Sequence, residues 1–261
     1  VTTTPLRDRS HLASLSALLF DLDGVLTPTA EVHMRAWATL FTDYLSAHAP
    51  EAAPYTDADY FDYIDGKPRY DGVRSMLASR GITLAEGLPT DAPEADTVCG
   101  LGNRKNAVFA AELEQNGVNP YPGSVAFLDA AIAAGYQVAV VSSSRNAVPV
   151  LTAAGLRDRF DVIVDGEVAA RDGLAGKPAP DTYLDGARLL GLTAAQCVVV
   201  EDAQSGVQAG RAGDFGLVVG VDRGVGPQAL IDFGADFVVD DLGVLVDSLS
   251  PTSPATSEHH S

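Results

Sequence analysis

The chain has 261 residues, 46% of them apolar, and a formal net charge of −18 from 17 basic and 35 acidic side chains. That length and apolar content suffice for a large core and exclude global disorder. The acidic balance lacks the basic patch that polyanions call for, so nucleic acid and anionic membrane surfaces are excluded as partners.

The opening VTTTPLRDRSHL has no apolar leader core, and residues 1–12 are expected to be flexible. No apolar stretch approaches the ~20 residues of a membrane span. Cys99 and Cys197 make no disulfide framework. A soluble, cytoplasmic monomer is expected.

The apolar run Ala17-Leu18-Leu19-Phe20 predicts a first strand. Residues 29–48, 70–80 and 103–116 carry helical patterns, with Thr27 expected as the N-cap of the first helix and Pro28 as its first residue. Between the second and third helices, GITLAEGLPTDAPEADT reads as a loop and forms an insertion over roughly 81–98. From residue 120 onward, short β-branched runs alternate with alanine- and leucine-rich segments. The runs fall at 137–141, 160–164, 198–200 and 216–219, with a weaker one at 236–239. The segments between them, near 124–134, 146–154, 180–190, 203–212 and 227–233, are predicted helices. Continuous apolar runs alternating with helices predict a doubly wound parallel α/β sheet covered on both faces. The expected organisation is a discontinuous core over 1–28 and 120–249, with a helical module inserted at 29–119. The tail SPTSPATSEHHS, 250–261, is expected to be disordered.

In such a sheet, ligands bind beyond the carboxyl ends of the strands. Asp21-Leu22-Asp23-Gly24 follows the first strand, Ser142-Ser143-Ser144-Arg145-Asn146 the second and Glu201-Asp202 the fourth. Gly176-Lys177-Pro178 lies in the loop after the third. One acidic pair at a strand end reads equally well as a helix cap; polar groups at four ends together do not. Asp21, Asp23, Glu201 and Asp202 concentrate negative charge that a hard cation with oxygen ligands offsets, and Mg²⁺ fits, since it takes one or two carboxylates together with phosphate and water. Lys177 can neutralise a carboxylate and an incoming phosphoryl group, which Ser142 and the following backbone N–H groups can hold. A carboxylate in that setting can act as a nucleophile, and a second carboxylate two residues on can shuttle a proton.

FDLDGVLT, VVSSSRN, GKPAPDTY and VVVEDAQSGVQAG resemble, in order and spacing, the four motifs of the haloacid dehalogenase-like superfamily over residues 15 to 245. TAEVHMRAW and DGKPRYDGVRSML resemble the helical cap of its beta-phosphoglucomutase-like subfamily. The resemblance implies Asp21 as nucleophile, Asp23 as general acid/base, and Ser142 and Lys177 as phosphoryl-binding groups. It implies Mg²⁺ on the Asp21 carboxylate, the Asp23 carbonyl and Asp202, with Glu201 assisting.

In the cap, His33 resembles the residue that couples substrate binding to the acid/base. Thr29, His33 and Trp37 share one helical stripe, on which Trp37 reads as packing. Arg69 and Lys105 resemble cap contacts to a sugar phosphate, and Arg145 and Asn146, beyond Ser143 and Ser144, border the phosphate site. The subfamily has a basic residue before the cap glycine; here Asp65 precedes Gly66 and Lys67 follows, so Lys67 is the expected substitute. Pro28 stands where the subfamily carries Asp. The implied activity is transfer of a phosphoryl group between positions of beta-glucose 1-phosphate. A phosphatase acting on a small sugar phosphate uses the same core. A non-catalytic sugar-phosphate binder has no need for both Asp21 and Asp23.

Overall fold

The computed structural model describes residues 8–249. The expectations for 1–7 and for the tail 250–261 lie outside the described residues. Of residues 8–12, residues 8–11 are exposed, while Leu12 is fully buried and its carbonyl accepts a hydrogen bond from Tyr136 Oη at 2.9 Å.

Strand β1 (Ala17–Phe20) is followed by four helical segments: α1 (Thr29–His48), α2 (Asp57–Asp59, running into a π-turn Tyr60–Ile64), α3 (Arg69–Ser79) and α4 (Val98–Asn116). The chain then alternates α5 (Pro122–Ala133), β2 (Gln137–Val141), α6 (Ala147–Ala153), β3 (Val162–Val164), α7 (Gly166–Asp172), α8 (Asp181–Leu189), β4 (Cys197–Glu201), α9 (Gln204–Ala212), β5 (Leu217–Val221), α10 (Pro227–Asp232) and β6 (Phe237–Val239). The six strands form one parallel sheet in the order β3-β2-β1-β4-β5-β6. Phe20 is level with Val140 on one side and Val200 on the other, so Asp21, Val141 and Glu201 end their strands at the same height. The strand order reverses between β1 and β4, which is where doubly wound sheets open a crevice.

Side chains of β1 alternate between two cores. Leu18 and Phe20 join the cluster under α5 and α6, and Ala17 and Leu19 the one under α8 and α9. The segments between β1 and β2 carry a third cluster, with Trp37, Leu40, Phe41, Tyr44 and Leu45 of α1 packed on Tyr60, Val73, Met76 and Leu101. The spacing 37, 40, 41, 44, 45 is one face of a helix. Burying each such side chain contributes about 1.5–3 kcal/mol, so this helical insertion carries a core of its own.

Three local expectations need correction. Thr27 does not cap α1: it is fully buried, its hydroxyl donates to Leu22 O at 3.3 Å, and Pro28 occupies the cap position with no side-chain bond. Helix α4 begins at Val98 rather than 103, because Thr97 Oγ1 accepts from Gly100 N at 2.9 Å and caps it. Helix α7, unpredicted, is started by Asp165, whose side chain accepts from Glu167 N and Val168 N. The expected loop at 81–97 contains no helix or strand and is strapped to α4: Asn103 donates to the carbonyls of Pro89 and Asp91, and Arg104 to that of Pro93.

Candidate active site

Asp21 sits one residue beyond β1, with its N–H bonded to Val200 O at 2.9 Å, so the sheet itself places its carboxylate in the crevice. Lys177, in the turn before α8, reaches the same point. Its Nζ donates to Asp21 Oδ1 and Glu201 Oε1, both at 2.6 Å, and to Val141 O at 3.0 Å. All three side chains are buried. Burial works to strip the Lys177 proton, but the Asp21 and Glu201 charges outweigh it and raise its pKa above the ordinary lysine value. The ammonium is therefore a fixed positive charge.

One lysine does not balance the acids around it. Asp21, Glu201 and Asp202 each offer a carboxylate oxygen, all lying within 4.8 Å of one another. Burial, aided by the Glu201 and Asp23 charges, pushes the Asp21 carboxyl well above the usual carboxylate range despite Lys177. Asp202 is pushed up in the same direction by burial and by the charges of Asp65, Asp21 and Glu201. Carboxyls forced toward neutrality signal a site short of positive charge, and an oxygen donor set of this kind suits Mg²⁺. The backbone also leaves room only for this arrangement: a Cβ on Gly24, at φ +91°, would stand 1.8 Å from Asp202 Oδ2. Glu201 is the most committed of the three, taking Lys177 and the Tyr183 hydroxyl (2.9 Å) on Oε1 and Ala203 N (3.1 Å) on Oε2.

The Asp23 side chain faces away from that group, toward the helical insertion. It accepts a short hydrogen bond from Thr29 Oγ1, and His33 Nε2 lies 3.5 Å from its Oδ1. Burial works against the charged form, but His33, Thr29 and Lys105 prevail and hold its pKa below the usual value. His33 stacks on Phe109 with ring centroids 4.0 Å apart, and its Nδ1 contacts Lys105 Nζ. Burial, then the neighbouring Lys105 charge, lowers the His33 pKa against the pull of Asp23. Lys105 is itself buried over the rings of Trp37 (5.1 Å) and Phe109 (5.0 Å); burial, then Arg69, brings its pKa down to about 7.

A cleft between insertion and sheet joins these groups. The structure brings most of the sequence-predicted site residues to it. Asp21, Asp23, His33, Arg69, Lys105, Ser142, Ser143, Ser144, Arg145, Asn146, Glu201 and Asp202 line it, and Lys177 supports its floor through Asp21 and Glu201. The loop after β2 is wound by its own hydroxyls, Ser142 Oγ accepting from Ser144 N and Ser144 Oγ from Asn146 N, both at 3.1 Å. Arg69 donates to Asn106 Oδ1 at 2.8 Å, and Asn146 donates to the same oxygen at 2.7 Å, tying insertion to core. Arg145 lies over the Tyr70 ring with Glu167 3.3 Å away.

Two expectations about contacts fail. Thr29 does not reach the cleft; it is buried behind Asp23, with its hydroxyl shared between Asp23 and Thr27. Lys67 borders the cleft, but its ammonium turns away to Tyr63 O at 2.9 Å and Ser75 Oγ at 3.0 Å. Trp37, read as packing, does pack yet also lines the cleft. Tyr60 and Asp65, which also line the cleft, were not expected among the site groups. Nor was Tyr183, the last residue of GKPAPDTY and the third of α8, whose hydroxyl donates to Glu201 Oε1.

The fold and site define a doubly wound α/β enzyme of the phosphoryl-transfer class. Residues 15–214 match the model of the haloacid dehalogenase-like hydrolase family, and the chain belongs to that family. It is 50% identical over 239 residues to a beta-phosphoglucomutase of Mycobacterium bovis, covering 88% of this chain and 91% of that one. It is 33% identical over 228 residues to a beta-phosphoglucomutase of Bacillus subtilis, covering 86% and 89%. A beta-phosphoglucomutase structure from Clostridium difficile superposes with a TM-score of 0.70 at 24% identity, over 88% of this chain and 93% of that one, and so shares the fold. No described helix is long and apolar enough to cross a membrane.

Proposed function

We propose that this enzyme interconverts beta-glucose 1-phosphate and glucose 6-phosphate by passing a phosphoryl group through Asp21, with Mg²⁺ as cofactor. The observation that carries the reading is the division of the cleft into two charged ends: the Asp21–Lys177 pair with Asp202 on the sheet side, and Arg69 with Lys105 on the insertion side. A hydrolase needs one phosphate site; a phosphate at either end of a sugar calls for two. The half-identical mycobacterial relative supports the same assignment.

In this mechanism Asp21 is the nucleophile and Asp23 the general acid/base, which Thr29 and His33 orient toward the sugar. Asp21 and Asp202, with Glu201 behind them, would hold Mg²⁺, which supplies charge neutralisation for the transferring phosphoryl group. Lys177 fixes the nucleophile, Ser142 and the loop to Asn146 receive phosphoryl oxygens, and Arg69 and Lys105 hold the distal phosphate. The insertion acts as a cap over residues 29–119, and its closure excludes water so that transfer to sugar outruns hydrolysis. The partner is a small sugar phosphate, and the setting a cytoplasmic monomer.

Glucose 1-phosphate with a trace of the bisphosphate should give glucose 6-phosphate in a coupled dehydrogenase assay. Release of free phosphate without glucose 6-phosphate would overturn the assignment.

A further inference from the structure

The segment Asp65–Arg69 joins the π-turn to α3 and crosses the cleft from its acidic floor to its cationic end. Three core segments seat it. Ser205 Oγ donates to Asp65 O at 3.1 Å, Ser143 Oγ donates to Gly66 O at 2.7 Å, and Pro68 covers Gly176, where a Cβ would come within 2.3 Å of the proline ring. Gly66, at φ +68°, has no room for a side chain, since its Cβ would meet Ser205 Oγ at 2.1 Å. Each seat lies within three residues of a site group: Ser143 beside Ser142, Ser205 beyond Asp202, Gly176 before Lys177. The segment is thus held in register with the reacting groups.

Asp65 is the inner end of that segment. Its side chain lines the cleft in company with Asp21, Glu201 and Asp202, and a carboxylate's two oxygens can accept about four hydrogen bonds. That company places Asp65 at the acidic end of the cleft. An ionised phosphate is the wrong ligand beside a carboxyl in that company. Lys67, the neighbouring cation, is turned away. The substrate groups that suit this position are neutral donors, and between two phosphate positions a sugar offers hydroxyls.

Resting on the sugar-phosphate reading above, we propose that Asp65 is a specificity-determining residue that accepts a hydrogen bond from one ring hydroxyl of the bound sugar phosphate. The test is a panel of singly deoxygenated glucose 1-phosphates assayed on the wild-type enzyme, Asp65→Ala and the near-isosteric Asp65→Asn, with Mg²⁺ affinity measured by calorimetry on each. Asp65→Ala should lower kcat/KM for glucose 1-phosphate about ten- to a hundredfold, mainly through KM. One deoxygenated analogue should cost the wild type a similar factor and cost Asp65→Ala almost nothing, while the other analogues cost both enzymes alike. Asp65→Asn, which keeps an acceptor oxygen, should fall between. Equal losses for every analogue in all three proteins would overturn the proposal. So would weakened Mg²⁺ binding with an unchanged sugar profile, which would assign Asp65 to the cation. A wild type inactive on every glucose phosphate would instead defeat the parent assignment, and is told apart by the wild-type arm alone.

Discussion

Lys177→Met removes the ammonium that bridges Asp21 and Glu201 at 2.6 Å each while keeping much of the side chain's volume. Both partner carboxyls are buried, so the variant leaves two acids facing each other with no protein counter-ion. Breaking a buried pair by removing one partner costs about 3–5 kcal/mol, and for a chain of this size each kcal/mol moves Tm by about 2–4 °C. A fall of roughly 10 °C at pH 7 without added metal is expected, together with loss of activity. The sign of its pH dependence follows from the carboxyls. Asp21 is already raised in the presence of Lys177 and rises further without it. Between the unfolded carboxyl range near pH ~4 and that raised value, the folded variant binds more protons than the unfolded chain, so its stability falls as pH rises. The deficit should be small near pH 5 and full at pH 7–8, and saturating Mg²⁺ should shrink it. Asp21→Asn makes the opposite perturbation: it silences the enzyme but removes one acid, with Lys177 still paired to Glu201, and should melt at or above the wild-type temperature. The assay is thermal unfolding by circular dichroism from pH 5 to 8, with and without Mg²⁺. A Lys177→Met protein as stable as wild type at pH 7.5 in chelator would refute this account of the charge balance.

Gly24→Ala puts a methyl group where Asp202 Oδ2 lies, at a backbone angle that disfavours any side chain, and should weaken Mg²⁺ binding at least tenfold by calorimetry. Lys105, brought down to about 7, is cationic below that pH and neutral above it in the free enzyme. The kcat/KM for a sugar phosphate should therefore decline as pH rises through about 7, and Lys105→Arg should flatten that limb. Thr29→Val removes the hydroxyl that Asp23 accepts from. The Asp23 pKa should then rise, moving the acidic limb of the kcat profile to higher pH and lowering kcat about tenfold, while Mg²⁺ affinity stays within twofold.

The parts of the site legible in the sequence are those that the sheet places. Asp21 and Ser142 follow, and Glu201 ends, strands formed by continuous apolar runs that start level at Ala17, Gln137 and Cys197, so the three residues fall within one step of the same height. Once the runs are recognised, the polar residues behind them converge whatever their side chains do. Lys177 is legible for a different reason: a buried ammonium must find carboxylates, and two stand at the neighbouring strand ends.

The helical insertion obeys no such rule. From the sequence, Lys67 rather than Asp65 reads as the cleft contact, though the two are neighbours of one glycine. Their directions are decided by tertiary contacts that no local pattern encodes, Tyr63 O and Ser75 for the lysine, and the Ser143 and Ser205 hydroxyls for the backbone carrying the aspartate. Thr29 shows the same limit, because helical spacing set it on a stripe with His33 but not on the stripe's cleft-facing end. Thr27 and Thr29 share one buried hydrogen bond of 2.7 Å, and that pair, rather than a helix cap, is what the threonines beside Pro28 build. The turn from Asp21 to α1 is held by backbone bonds, Gly24 N to Thr27 O at 2.7 Å and Thr27 N to Leu22 O at 3.1 Å, and the Thr29 hydroxyl at its end meets Asp23. A position that looks like ordinary helix initiation in the sequence is thus a link between Asp21 and Asp23, and replacing the threonines should disturb Asp23 long before it disturbs the fold.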